Sequence, residues 1–209
     1  MRISEDRYSR DLRRIHVAQR MIGHEVRTQW IRVWTGLSAA RIRNLYHSYV
    51  SSLKGVTRHR GPSPRRIASF LRSPALRNEA SAIGGLARVL EIIPKAPVRN
   101  ARRNLPNLDL GERMCHVFEL YQHIVPESTF TMDQFILLVV TLAEADDLEI
   151  GHCTNCHGAL LLDRLGHSRR LCPHCKQGSL NSSKEARPLS ASTPQESGTP
   201  PDPAQGSLF

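Results

Sequence analysis

Four of the five cysteines in this 209-residue chain lie in two Cys-x-x-Cys pairs. The first Cys-x-x-Cys sequence contains Cys153 and Cys156, and the second contains Cys172 and Cys175. Fifteen residues separate the two sequences. Such a pattern can be a haem attachment sequence, a thiol redox site, a pair of disulfides or a zinc site. These four interpretations differ in the compartment they imply and in whether the protein is an enzyme.

The spacing favours zinc. It lies within the range of a tetrahedral thiolate site, where each pair supplies two sulfurs at about 2.3 Å from one ion. Haem attachment occurs outside the cytoplasm. It would also use only the first Cys-x-x-Cys pair, so the second pair would have no role. A redox pair is expected beside a strand-helix-strand unit, and disulfides are disfavoured in a reducing cytosol. Four thiolates close the coordination shell, so we expect one structural ion that supplies folding free energy.

Four histidines near the pairs could replace a cysteine as ligand, but four cysteines suffice, and we expect the histidines at the surface. They are His152, His157, His167 and His174. Tight turns are expected at Gly158 and at residues 176–178, with a short strand at residues 160–162. The fifth thiol, Cys115, is expected to be a buried small hydrophobe beside Phe118.

The net charge of +10 is unevenly distributed. Residues 1–105 carry 22 Lys and Arg against 6 Asp and Glu, whereas residues 106–209 carry 7 against 13. This asymmetry predicts one surface for a polyanion and another for a different partner. Only four basic residues are Lys, and Arg suits phosphates and guanine edges, so the excess favours nucleic acid. A GC-rich genome is the alternative explanation of the Arg bias.

No export or membrane signal is visible in the sequence. The first ten residues are charged and polar, unlike a secretory leader with its apolar run. The longest apolar run, residues 135–140, has about a third of the length that a bilayer crossing needs. We therefore expect a soluble, cytoplasmic protein.

Apolar periodicity predicts a mainly helical fold. Helices are expected at residues 5–26, at 74–93 (weakened by Gly84-Gly85), at 114–125, and from the capping box of Thr131 and Gln134 to about Ala145. The last of these contains the run FILLVV and is expected to be the central buried helix. The first carries a heptad-like seam that packs on another helix of this chain or of a partner. The seam consists of Tyr8, Leu12, Ile15, Gln19, Ile22 and Val26.

Residues 28–49 have the pattern of a helix-turn-helix. A short helix from Thr28 to Trp34 precedes Gly36 as the turn, and Ser38 is a good N-cap for a second helix. Arg41, Arg43, Asn44 and His47 are expected on the outer face of that helix, where Arg can read guanine and Asn can read adenine. An ordinary helical hairpin with a solvated basic face is the alternative, because Arg32 stands where the motif usually has a small residue.

Two further segments are expected to lack regular structure. Residues 54–66 mix Gly and Pro with basic side chains, a composition typical of an extended loop that can lie along phosphates. The candidate DNA contacts in this loop are Lys54, Arg58, Arg60, Arg65 and Arg66. Residues 178–209 are rich in Ser and Pro and are expected to be a disordered tail.

The order of these features resembles the FlhC family, the C subunit of the bacterial flagellar master transcriptional activator. The similarity lies in GLSAARIRNLYHSYVSSLKG, in VFELYQHIVPES, and above all in LLVVTLAEADDLEIGHCTNCHGALLL followed by CPHC. It implies one structural zinc held by Cys153, Cys156, Cys172 and Cys175. It further implies assembly with a D-type subunit as a hetero-hexamer of four D and two C chains, binding to flagellar promoter DNA, and recruitment of RNA polymerase.

We therefore expect a mainly α protein with three regions. Residues 1–150 form a helical DNA- and partner-binding domain with a helix-turn-helix-like segment, residues 151–177 a four-cysteine zinc-ribbon-like module, and residues 178–209 the tail. The expected function is a DNA-binding activator subunit and not an enzyme, since neither an acid-base pair nor a phosphate-binding glycine loop is visible. A zinc-ribbon RNA-binding or ribosome-associated factor is the alternative, disfavoured by the 5% aromatic content.

Overall fold

The computed structural model describes residues 2–50, 67–98, 107–145, 147–166 and 170–176. In chain order its elements are α1 (Arg2–Gly23), α2 (Thr28–Thr35), α3 (Ala39–Val50), α4 (Ser69–Arg72), α5 (Pro74–Val89), α6 (Leu108–Ile124), α7 (Met132–Glu144), β1 (Leu148–His152) and β2 (Ala159–Asp163). The predicted mainly helical fold is confirmed for this part of the chain. Within these ranges, none of the helices has both the length and the apolar character needed to cross a membrane.

Helix α7 lies at the centre of the core. Every side chain from Phe135 to Val140 is buried, because the run FILLVV leaves the helix without a polar face. Thr131 caps its start: the Thr131 hydroxyl accepts from the Gln134 N–H, and the Gln134 side chain accepts from the Thr131 N–H. Both the capping box and the central position of this helix are confirmed.

Helices α1 and α6 lie side by side and run in the same direction. The Arg13 guanidinium meets Asp109 and Glu112 near the start of α6, and Arg20 meets Glu119 further along it. The basic α1 is therefore partly neutralised by the acidic α6. Part of the positive charge of the N-terminal half is therefore neutralised by acidic side chains of the same chain.

The apolar seam of α1 is covered over only part of its length. Ile22 and Val26 are buried, and Ile15 and Gln19 are half-buried. Tyr8 and Leu12, by contrast, are 70% and 53% exposed. The second half of the seam packs inside the chain, while the first half presents apolar surface to solvent.

Two predicted helices end earlier than expected. Helix α1 stops at Gly23 instead of residue 26, and α5 stops at Val89 instead of residue 93. Each is followed by a glutamate with positive φ, 58° at Glu25 and 55° at Glu91. The next N–H reaches back five residues, from Val26 to the Met21 carbonyl and from Ile92 to the Ala87 carbonyl. These are Schellman motifs, and each turns a buried apolar residue inward.

Three other features differ from the sequence prediction. Helix α6 starts at Leu108 instead of residue 114, because the Asn107 side chain accepts a hydrogen bond from the Leu110 N–H. Helix α4 and strand β1 were not expected at all. Strand β1 pairs antiparallel with β2, with Ile150 opposite Leu161, and β2 contains the predicted strand.

The hairpin of β1 and β2 shares the helical core. Leu148, Ile150 and Leu161 are buried in the same cluster as the side chains of α7. Strand β1 runs across the domain boundary that the sequence predicts between residues 150 and 151. That division stays a prediction, and residues 178–209 lie outside the described part of the chain.

Candidate metal centre and basic helix face

The first cysteine pair lies in the loop that connects the two strands of the hairpin. Strand β1 ends at His152, so Cys153 follows directly, and β2 begins three residues after Cys156. The Cys153 N–H donates to the Gly158 carbonyl at 2.9 Å, and the His157 N–H donates to the Cys153 carbonyl at 3.0 Å. In the turn predicted around Gly158, the residue with positive φ is the neighbouring His157, at 57°. Histidine tolerates that conformation better than most residues.

Cys172 directly precedes a single helical turn at residues 173–176, and Cys175 lies within that turn. The Cys175 N–H donates to the Cys172 sulfur at 3.4 Å, and the Lys176 N–H donates to the Cys172 carbonyl at 3.0 Å. The short turn therefore directs both sulfurs toward the same side.

Hydrogen bonds from backbone N–H groups join the two pairs. The Thr154 N–H donates to the Arg170 carbonyl at 2.8 Å. The Cys172 N–H donates to the Cys153 sulfur at 3.4 Å. These contacts bring the second pair opposite the first, as the sequence spacing predicts for a four-thiolate site.

The four sulfurs form a compact cluster. The Sγ atoms of Cys153, Cys156, Cys172 and Cys175 all lie within 4.8 Å of one another. The Cys156 and Cys172 sulfurs are 3.8 Å apart. Tetrahedral coordination with metal–sulfur bonds of about 2.3 Å places the sulfurs about 3.8 Å apart, so the cluster is of the right size to hold one ion.

The protein environment differs between the buried and the outer thiols. Backbone N–H groups of Cys156, Cys172 and Asn155 lower the pKa of the Cys153 thiol to about 6. A hydrogen bond from Asn155 lowers the pKa of Cys175, but the Cys172 thiol and burial outweigh it and raise that pKa to about 11. The fold thus favours the thiolate form at Cys153, which is the form that binds metal.

Among the described residues, the only candidate metal cluster consists of these four cysteines. His152, His157 and His174 are exposed, as predicted, and His167 lies outside the described residues. Cys115 is buried on α6, as expected, and burial raises the pKa of its thiol to about 12. Its thiol therefore stays protonated and acts as a small apolar side chain.

The predicted DNA-reading side chains lie together on α3. Arg41, Arg43, Asn44 and His47 are all exposed, on the face opposite the buried Ile42 and Tyr46. Gly36, with φ of 69°, makes the turn before this helix, and the Ser38 side chain accepts from the Arg41 N–H.

Arg41 has a partner within the chain. Its guanidinium contacts the Asp11 carboxylate of α1 at 3.3 Å, and Asp11 also contacts Arg14. Any phosphate that binds Arg41 has to compete with Asp11. Lys54, Arg58, Arg60, Arg65 and Arg66, the remaining candidate DNA contacts, lie outside the described residues.

Other arginines of the basic half are committed to internal contacts. The Arg27 guanidinium pairs with Asp133, whose side chain is buried at the start of α7. The Arg20 guanidinium pairs with Glu119 at 2.7 Å. Burial would raise the pKa of Glu119, but hydrogen bonds from Arg20 and His24 lower it. A count of charges in the sequence therefore overstates the positive surface.

No protein-family model matches the chain, and no curated protein matches it significantly.

Proposed function

We propose that this chain is a zinc-stabilised, DNA-binding subunit of a transcriptional activator, as its resemblance to the FlhC family implies. The observation that carries the proposal is the convergence of four cysteine sulfurs to within 4.8 Å of one another. Bound zinc would act there as a crosslink between the hairpin and the helical turn at residues 173–176. Because four thiolates fill a tetrahedral shell, the site suits a structural role and leaves no position for substrate. The proposal is accordingly for a protein that is not an enzyme.

Helix α3 supports binding to duplex DNA. Its exposed face combines Arg43, Asn44 and His47, and α2 precedes it after a three-residue connection. An α-helix fits the major groove, where Arg reads guanine and Asn reads adenine. In this proposal α3 is the recognition helix, and the basic residues of segment 54–66 hold phosphates beside it.

The uncovered part of the α1 seam supports a protein partner. Tyr8 and Leu12 continue the spacing of the buried Ile22 and Val26, yet they face solvent. We assign this surface to a D-type subunit in a hetero-hexamer of four D and two C chains. The assembly would act in the cytoplasm, bind upstream of flagellar operons and recruit RNA polymerase.

Footprinting on flagellar promoter DNA tests the proposal. The chain is expressed with and without a D-type subunit, and we expect protection of a defined site by the complex. If about six basic side chains contact phosphates, log affinity falls with log salt concentration at a slope of about −5.

Competition with structured RNA distinguishes the RNA-binding alternative. Duplex DNA is expected to compete better than RNA for the complex. Preference for RNA, or binding that shows neither salt dependence nor preference for duplex, would contradict the proposal. Specific binding by a monomeric chain alone would contradict the role of the D-type partner.

A further inference from the structure

The outer edge of strand β2 is bound by side chains of helix α5. The Arg77 guanidinium donates twice to the Leu161 carbonyl, from Nε at 3.1 Å and from Nη2 at 3.0 Å. The Leu161 N–H donates to the Ser81 hydroxyl oxygen at 2.9 Å, and that hydroxyl donates to the Arg77 carbonyl at 2.6 Å. The N–H and the carbonyl of Leu161 therefore both have partners on α5.

The other strand is bound by the same helix. The Arg88 guanidinium donates from Nη1 to the Ile150 carbonyl at 2.8 Å. Ile150 is the direct partner of Leu161 in the antiparallel register. Helix α5 thus holds both strands at the same level of the hairpin, with Arg77 and Arg88 about three helical turns apart.

Two glycines between these arginines allow the hairpin to approach closely. A Cβ atom on Gly84 would come within 2.8 Å of the Ile150 Cδ1 atom, and one on Gly85 within 2.7 Å of the Ala159 Cβ atom. Real Cβ atoms do not pack at such distances, so alanine at Gly85 would push the strand away. The glycine pair that weakens α5 as a helix is the surface on which the hairpin packs.

The hairpin in turn fixes the first two sulfurs. Cys153 directly follows β1, and the turn that contains Cys156 leads into β2. A two-stranded hairpin is marginally stable by itself in water. The position of these sulfurs is therefore set by whatever holds the hairpin in place, and α5 does so through its polar side chains.

We propose that helix α5 positions the metal centre, with Arg77, Ser81 and Arg88 as positioning residues that raise its affinity for zinc. This inference rests on the proposed zinc site. The contacts hold the hairpin in the register that brings Cys153 and Cys156 toward Cys172 and Cys175. Because linkage is reciprocal, bound zinc holds the hairpin on α5 to the same extent.

Zinc affinity measured by competition with a chromophoric chelator tests this inference in the full chain. Arg77→Ala and Ser81→Ala remove hydrogen bonds to Leu161 without touching a cysteine. Each is expected to weaken zinc binding by up to about 10-fold, the factor to which loss of one buried hydrogen bond corresponds when the bond forms only in the zinc-bound arrangement. Arg77→Lys, which keeps a donor and the charge, is expected to recover part of the affinity.

Arg113→Ala is the matched control. Arg113 also donates to backbone carbonyls of this region, those of Leu90 and Glu91, but these lie past the end of α5 and outside the hairpin. Its loss is expected to leave zinc affinity unchanged. The absorption spectrum of the cobalt-loaded variants should retain the tetrahedral thiolate bands, since the ligands themselves are the same.

The small Ser81→Ala change keeps the test decisive if Arg77→Ala fails to fold. Wild-type zinc affinity in Ser81→Ala, or an equal loss in Arg113→Ala, would overturn the role of α5. Failure of the wild-type chain to bind zinc would instead overturn the proposed zinc site. The two failures are therefore distinguishable.

Discussion

The arginines of α5 bind backbone carbonyls of the hairpin, whereas Arg43 of α3 lies on an exposed helix face. Both helices belong to the basic half of the sequence, and composition does not distinguish them. The difference arises from what lies opposite each helix: the hairpin packs against α5, whereas in the described residues no strand lies against the outer face of α3. Basic residues in a sequence thus indicate a nucleic-acid surface only when they have no partner within the chain.

Removal of the metal should have the largest effect on stability, and the effect should be greatest in the hairpin that packs on α5. We expect a chelator to lower the melting temperature by roughly 10 °C, because a tightly bound ion contributes several kcal/mol of stability. Hydrogen exchange should show loss of protection at residues 148–163 and retained protection in α3. A melting curve unaffected by chelator would contradict the structural role of the site.

Truncation of the hairpin core should have the next largest effect. Leu161 is fully buried, and Leu161→Ala should lower the free energy of unfolding by about 2–5 kcal/mol. Leu165, just beyond the hairpin, is 79% exposed, and Leu165→Ala is the matched control with no expected change. Urea denaturation measures both. Equal effects in the two variants would mean that the hairpin does not share the helical core.

Two arginine variants test the comparison directly. Arg43→Ala should weaken specific DNA binding by about 1–3 kcal/mol and leave the free energy of unfolding unchanged. Arg88→Ala should lower the free energy of unfolding by about 1 kcal/mol, through the lost bond to the Ile150 carbonyl, and leave DNA binding unchanged. Gel-shift titration and denaturation of both variants measure these effects. The reverse pattern would overturn the division of roles between α3 and α5.

The smallest effect concerns Arg41, which belongs to the α3 face but has an internal partner. Asp11→Asn should release its guanidinium and raise DNA affinity by no more than about five-fold, since exposed ion pairs contribute up to about 1 kcal/mol. Asp6→Asn removes the same charge from the Arg10 pair on α1, so it controls for the change in net charge. An equal gain in both variants would assign the effect to overall charge and not to Arg41.

The sequence predicted the parts of the molecule whose signals are local. Thr131 and Gln134 form a capping box within four residues, and Phe135–Val140 have no polar face, so the position of α7 was predictable. Cysteine spacing likewise predicted which sulfurs meet. The predicted turn at Gly36 and cap at Ser38 are also confirmed, whereas their role in DNA binding stays a prediction.

The remaining features depend on contacts between distant residues. The ends of α1 and α5 have Glu25 and Glu91 in the left-handed position where glycine is the usual signal, so no local stop signal is visible there. The Gly84-Gly85 pair lowers the helix propensity of α5. Only the close approach of Ile150 and Ala159 explains why glycine stands at these positions. The pairing of Arg77 with Leu161 spans 84 residues, and no local pattern reveals it.

Elemental analysis of the freshly purified chain and of its Cys172→Ser variant tests the central claim most directly. The claim is that one ion, held by four sulfurs, fixes the hairpin on α5. We predict one zinc per wild-type chain, little or none in the variant, and loss of hydrogen-exchange protection in the variant's hairpin. A wild-type chain without zinc, or a variant whose hairpin stays fully protected, would contradict the account.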